Sequence, residues 1–87
     1  MEFEWDEAKR AANLAKHGLD FADVAALDWA GARYKLDLRA DHGEDRVQAF
    51  VLWNARLHQV TFTQRGSAIR ILSFRRASRK ERRHYGP

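Results

Sequence analysis

The chain contains no cysteine, and its only proline is the last of 87 residues. The first absence excludes disulfides, thiolate zinc sites and a thiol nucleophile, and it fits a reducing compartment. The second removes a common marker of linkers, and with no Ser-rich or repetitive stretch either, a single domain spanning residues 1–87 is expected. No run of about 18 apolar residues occurs and no charged n-region precedes an apolar segment. Neither a transmembrane helix nor a secretory signal is therefore expected, and the reading is a soluble, cytoplasmic protein without a membrane partner. Also missing are a glycine-rich phosphate loop, a zinc-ligand spacing and a nucleophile elbow. The four histidines, His17, His42, His58 and His84, show no i, i+4 pairing, so no metal and no other cofactor is expected.

Acidic residues are scarce in one half only. Residues 46–87 carry ten Lys+Arg and one acid, Glu81, whereas residues 1–45 carry six Lys+Arg and eleven Asp+Glu. A field this lopsided points to a polyanion on the basic part, nucleic acid first. Hydrophobic residues make up 45% of the chain, but 14 of them are alanine, so the core is small.

Phe3-Glu4-Trp5 alternates and suits a short edge strand. Asp6 reads as an N-cap for a helix over Glu7 to His17, with Ala8, Ala11, Ala12 and Ala15 on one face and Gly18 as the left-handed C′ residue. Asp20 reads as the cap of a second, shorter helix ending near Leu27 to Trp29. From Arg33 the period becomes two: Tyr34, Leu36 and Leu38 alternate with Arg33, Lys35, Asp37 and Arg39, and the turn chemistry of Asp41-His42-Gly43-Glu44 follows. Arg46 to Trp53, Leu57 to Gln64 and Ala68 to Phe74 give three more strands, and short connections favour an antiparallel meander. Ser78-Arg79-Lys80-Glu81 is a capping box that opens a basic C-terminal helix. The expected fold is α+β: an N-terminal helical pair, a four-stranded antiparallel meander and a short C-terminal helix.

Chemistry concentrates at the end of the chain, where Arg65, Arg70, Arg75, Arg76, Arg79, Lys80, Arg82 and Arg83 fall close together with Glu81, His84 and Tyr85. Arginine suits a site where a planar fork must hold phosphate oxygens. Glu81 has two competing jobs, capping and proton transfer; Tyr85 can exchange a proton, stack on a base or pack on the sheet.

Phe3-Glu4-Trp5-Asp6-Glu7-Ala8-Lys9, Asn13-Leu14, Lys16-His17-Gly18 and Phe21 resemble the N-terminal pattern of the BrnT family of bacterial toxins. Gly43-Glu44 with Arg46, Thr63 with Arg65, Arg70-Ile71, Ser73 with Arg75, and Ala77 before Glu81-Arg82-Arg83 and Tyr85 resemble its second half. Where the family often has Ser-Ala-Arg, this chain has Ser73-Phe74-Arg75. The resemblance implies a RelE-like ribonuclease toxin that cleaves RNA without a metal and blocks translation. It also implies a BrnA-type ribbon-helix-helix antitoxin, and operator DNA bound through the toxin–antitoxin complex. On this reading Arg65, Arg75 and Arg82 hold the phosphate and its transition state, with Glu81 and Tyr85 as proton carriers. Arg70, Arg76, Arg79, Lys80 and Arg83 bind flanking RNA. The alternative is a non-catalytic nucleic-acid binder or corepressor using the same basic surface.

Overall fold

A computed structural model describes residues 2–37 and 44–87. Its elements are β1 (Glu2–Trp5), α1 (Glu7–His17), two 3-10 segments (Phe21–Ala26 and Trp29–Gly31), β2 (Arg33–Asp37), β3 (Arg46–Trp53), β4 (Arg56–Arg65), β5 (Ala68–Arg76) and α2 (Arg79–Tyr85). One sheet runs β1-β5-β4-β3-β2. The positions Leu38, Arg39 and Asp41-His42-Gly43, read from the sequence as strand end and turn, lie outside the described residues. No helix among the described residues is long and apolar enough to cross a membrane.

This corrects the expected helical pair and four-stranded meander. The sheet has five strands, and β1 joins β5 in parallel, with Phe3 opposite Ile69 and Trp5 opposite Ile71. Short loops fix the direction only of strands that follow one another, so the antiparallel run β2 to β5 was legible. The pairing of the chain's first strand with its last has no loop length to read. The second helix is a 3-10 segment instead. Its two fully buried side chains, Phe21 and Val24, are spaced i, i+3, and three residues per turn brings them onto one line.

Local signals set the element ends. Asp6 accepts from the backbone N–H of Ala8 and Lys9, Gly18 adopts φ 71° and donates to Leu14 O, and Ser78 with Glu81 forms the capping box. Helix α1 is nevertheless held by polar groups, since Ala8, Ala11, Ala12 and Ala15 stay exposed. Arg10 donates through Nε and Nη2 to the two carboxylate oxygens of Asp20, both at 2.7 Å. Asn13, buried at 8% exposure, donates to Phe74 O at 2.8 Å and Leu19 O at 3.0 Å, and accepts from Phe74 N at 3.1 Å. β1 stops opposite Ile71, and the side-chain amide of Asn13 takes over as hydrogen-bond partner for the next part of the β5 edge.

Strand alternation gives the sheet two unlike faces. One buries Ala49, Val51, Val60, Phe62, Ile69, Ile71 and Phe74 with Phe21 and Val24 of the first 3-10 segment, and Phe3, Trp5, Trp29 and Val47 pack around them. The other carries a small cluster of Phe50, Leu57 and Ala77, against which α2 docks through Tyr85. The rest of this second face is polar.

Two stability predictions follow from the β3–β4 end of the sheet. The two-residue turn places Asn54 at φ 52° and Ala55 at φ 63°. Left-handed backbone costs an alanine about 1–2 kcal/mol, partly offset by the extra unfolded-state freedom of a glycine. Ala55→Gly is expected to stabilise the fold by about 0.5–1 kcal/mol, read by urea denaturation; a loss of stability would contradict the strain argument. Nearby, His58 is buried between Trp53 and Phe74, and its Nδ1 lies 2.9 Å from Arg56 O. Burial pushes its pKa below the ordinary 6.5, the Arg56 carbonyl opposes the shift, and the charges of Arg76 and Arg56 add to it. Between the folded and unfolded pKa values the unfolded chain binds the extra proton, so stability is full above about pH 6.5 and declines as pH falls. Melting temperatures from pH 7.5 down to 5.5 should therefore drop. His58→Phe should flatten part of that slope, with His17, also lowered, supplying the same sign.

Candidate active site

Four lines of backbone cross the polar face. Register places Arg75, Gln59, Phe50 and Arg33 in one lateral row, and Ser73, Thr61, Gln48 and Lys35 in the next. A third row holds Glu4, Arg70 and Thr63. Each is an odd or even position of its strand as alternation requires, so hydroxyls, amides and cations share one surface.

Helix α2 closes one end of this surface. Tyr85 stacks on Phe50 with centroids 3.9 Å apart and planes 4° from parallel, and no hydrogen bond to its hydroxyl exists among the described residues. Between helix and sheet opens a cleft of about 370 Å³ lined in part by Lys35, Gln48, Lys80, Glu81, His84 and Tyr85. Arg75, from the end of β5, does not itself line this cleft but pairs with Glu81, which does. Its Nη1 donates to Glu81 Oε1 at 2.8 Å and its Nη2 to Oε2 at 3.0 Å, a two-toothed pair, while Nη1 also donates to Arg76 O at 3.1 Å.

These contacts determine what the pair can do. The Arg75 guanidinium, helped by the Ser78 amide, holds the Glu81 carboxyl down at about pKa 2. Glu81 in turn raises the Arg75 pKa, burial opposing. Glu81 is thus ionised near neutral pH, with its carboxylate engaged by Arg75 and the Ser78 amide. A guanidinium has five N–H donors. The three bonds above leave Nε and one hydrogen of Nη2 without a partner among the described residues.

The sequence-selected residues divide between several places. Glu81, Tyr85 and Lys80 line this cleft, and Arg75 adjoins it through its pair with Glu81. Arg70 lies on the same face but is tied to Glu4 at 2.7 Å. Arg65 stands at the other end of β4, 3.5 Å from Glu44 and six residues along the strand from Gln59, the partner of Arg75, which is roughly 20 Å. Arg82 turns to the opposite side of α2, where its Nη1 donates to Ala77 O at 3.1 Å and it shares a second cleft with Arg76. Arg79 and Arg83 are exposed on the helix.

Sequence reasoning gave no site role to Lys35, Gln48 and His17, and named His84 only as a neighbour of the C-terminal arginines. The alternation of β2 and β3 carried a signal for the first two, which sit directly opposite each other, but nothing local distinguished this wet face from ordinary solvent. His17, read as a helix-end residue, borders a shallow basic hollow with Lys9, Lys16 and Ser73 beside the irregularity in β5. Its pKa is lowered by burial, by Lys16 and by Arg75, which places it within the field of the Arg75 charge.

Fold and cleft define a small basic α+β protein whose open sheet face suits a phosphodiester chain and whose C-terminal helix carries part of the site. The chain belongs to the BrnT family: the family model, described as ribonuclease toxin, BrnT, of type II toxin-antitoxin system, matches residues 5–81. It is a ribonuclease toxin of such a system, with RNA as target and an antitoxin as partner. No curated protein matches the chain.

Proposed function

We propose that the chain is an endoribonuclease that cuts RNA without a metal by transesterification. The 2′-hydroxyl of the substrate attacks the adjacent phosphorus, the bond to the 5′-oxygen breaks, and the products are a 2′,3′-cyclic phosphate and a 5′-hydroxyl. The reaction requires a proton removed from the 2′-oxygen, charge stabilised on the phosphoryl oxygens and a proton delivered to the leaving oxygen. Arg75, fixed by Glu81 and with two N–H groups free, meets the phosphoryl oxygens. Lys35 and Lys80 add positive charge, and the imidazole of His84 and the hydroxyl of Tyr85 are the groups placed to move protons. Arg65, Arg70, Arg76, Arg79 and Arg83 hold RNA on either side through its phosphates, and Arg82 acts from behind α2. The observation that carries this reading is the two-toothed Arg75–Glu81 pair at the edge of a basic cleft.

Cleavage of cellular RNA in the cytoplasm arrests translation, and a BrnA-type ribbon-helix-helix antitoxin restrains it and brings the complex to operator DNA. The test uses a defined RNA in excess EDTA. Cutting is expected to continue, to give cyclic-phosphate ends and to stop when the scissile nucleotide is 2′-deoxy. Loss of all cutting in EDTA, or cutting of the 2′-deoxy substrate, overturns the mechanism. One observation favours a binder that does not cut: the Glu81 carboxylate is already committed to Arg75 and to the Ser78 amide. That alternative predicts affinity falling steeply with salt and no cleavage at any protein concentration.

A further inference from the structure

The second cleft, on the far side of α2, holds two arginines that the RNA reading already uses, Arg76 and Arg82, beside Arg56, Leu52 and Leu57, which it does not. It encloses about 440 Å³, and the guanidinium-bearing side chains of Arg56, Arg76 and Arg82 surround it over a floor of Leu52, Leu57 and Ala77. All three arginines are exposed, and none has a carboxylate partner among the described residues. Leu52, at 43% exposure, leaves aliphatic surface open beside them. Three guanidiniums without a carboxylate partner among the described residues, Arg82 bonded to the Ala77 carbonyl, repel each other and attract an anion. The floor decides which kind. Single-stranded RNA is held by stacking bases on aromatic rings, and this floor is aliphatic. Carboxylates on a segment that also carries aliphatic side chains satisfy both features, the carboxylates accepting two-toothed bonds and the aliphatic groups covering Leu52 and Leu57.

We infer that this cleft is a docking site for an acidic, aliphatic segment of the antitoxin. The segment binds behind α2, the helix whose other side carries Glu81 and Tyr85, so docking there leaves the cleft beside Arg75 and Glu81 open and competes with RNA for Arg76 and Arg82. This inference rests on the family's antitoxin and on the cleft, and it stands whether or not the proposed cleavage chemistry is right.

The test employs Arg56→Glu and Leu52→Ser, two positions outside the proposed RNA site, each first checked for an unchanged thermal melt. Affinity for the full-length cognate antitoxin is measured by titration calorimetry at two salt concentrations, alongside RNA cleavage by the free toxin. Arg56→Glu is expected to weaken antitoxin binding by at least about 30-fold, since a reversed charge both loses a pair and repels its former partner. Leu52→Ser should weaken it by a smaller factor, and binding of the unaltered toxin should fall as salt rises. Cleavage should change less than about threefold, leaving an active toxin that escapes neutralisation. Equal losses of cleavage and antitoxin binding would make the cleft part of the RNA path, and unchanged antitoxin affinity in both variants would make it empty of either; each result overturns the inference. Should either variant fold poorly, Arg56→Lys, which keeps the charge and removes the fork, is expected to give a partial loss of affinity, and full affinity there overturns the two-toothed contact.

Discussion

Arg75→Ala is expected to reduce the rate of RNA cleavage at saturating substrate by about 10²–10³, the size found when one preorganised donor to a developing oxyanion is removed. On the proposed mechanism this is the largest catalytic effect expected. Arg75 is the guanidinium beside the cleft whose orientation is fixed from behind by a two-toothed carboxylate, so little reorganisation accompanies the charge that builds on phosphorus. Arg75→Lys keeps a charge and loses the fork, and most of the rate should go with it. Glu81→Gln leaves the arginine in place with a weaker anchor; a rate loss of about tenfold, with substrate affinity little changed, separates a positioning residue from a catalytic one. Arg65→Ala is the contrast. At roughly 20 Å along the sheet it should weaken affinity and reduce the salt dependence of binding without altering the rate at saturation. Single-turnover kinetics decide the matter, and a wild-type rate in Arg75→Ala removes the assigned site.

The largest stability effect is expected at Asn13. Its side chain is the only bridge that satisfies both backbone groups of Phe74, the residue just before Arg75, and it also ties α1 to Leu19. Asn13→Ala leaves a buried N–H and a buried C=O without partners, at about 1–3 kcal/mol each, besides the cavity. A loss of about 3–5 kcal/mol is expected in urea denaturation. Against a total of roughly 4–13 kcal/mol for a chain of this length, that leaves the fold barely stable. Asn13→Asp should fare no better: its carboxylate still accepts from Phe74 N–H but sets negative charge against two carbonyl oxygens. A loss under about 1 kcal/mol in either variant would show that β5 holds its edge without this clamp.

Much of this molecule was legible one segment at a time. Asp6, Gly18 and the Ser78–Glu81 box mark helix ends because a side chain or a left-handed residue within three positions satisfies the end groups. Strand alternation located β2 to β5, and the uneven charge pointed to nucleic acid before any coordinates. The Phe74 that departs from the family's usual alanine shows the limit of such reading. In sequence it is one large residue between Ser73 and Arg75; in the fold it is fully buried, packed on Trp53 and His58, with its backbone held by Asn13 from sixty-one residues away.

Alone, the sequence determined the ends of α1 and α2, the alternation of β2 to β5 and that one half is basic. Only the tertiary structure decided that β1 lies parallel to β5, that a side-chain amide completes the sheet edge, and that arginines crowded in sequence serve separate surfaces. The reason is range. Capping and alternation are set by neighbours a few bonds away, whereas the partner of a sheet edge and the side of a helix that meets a cleft depend on contacts between residues far apart in the chain.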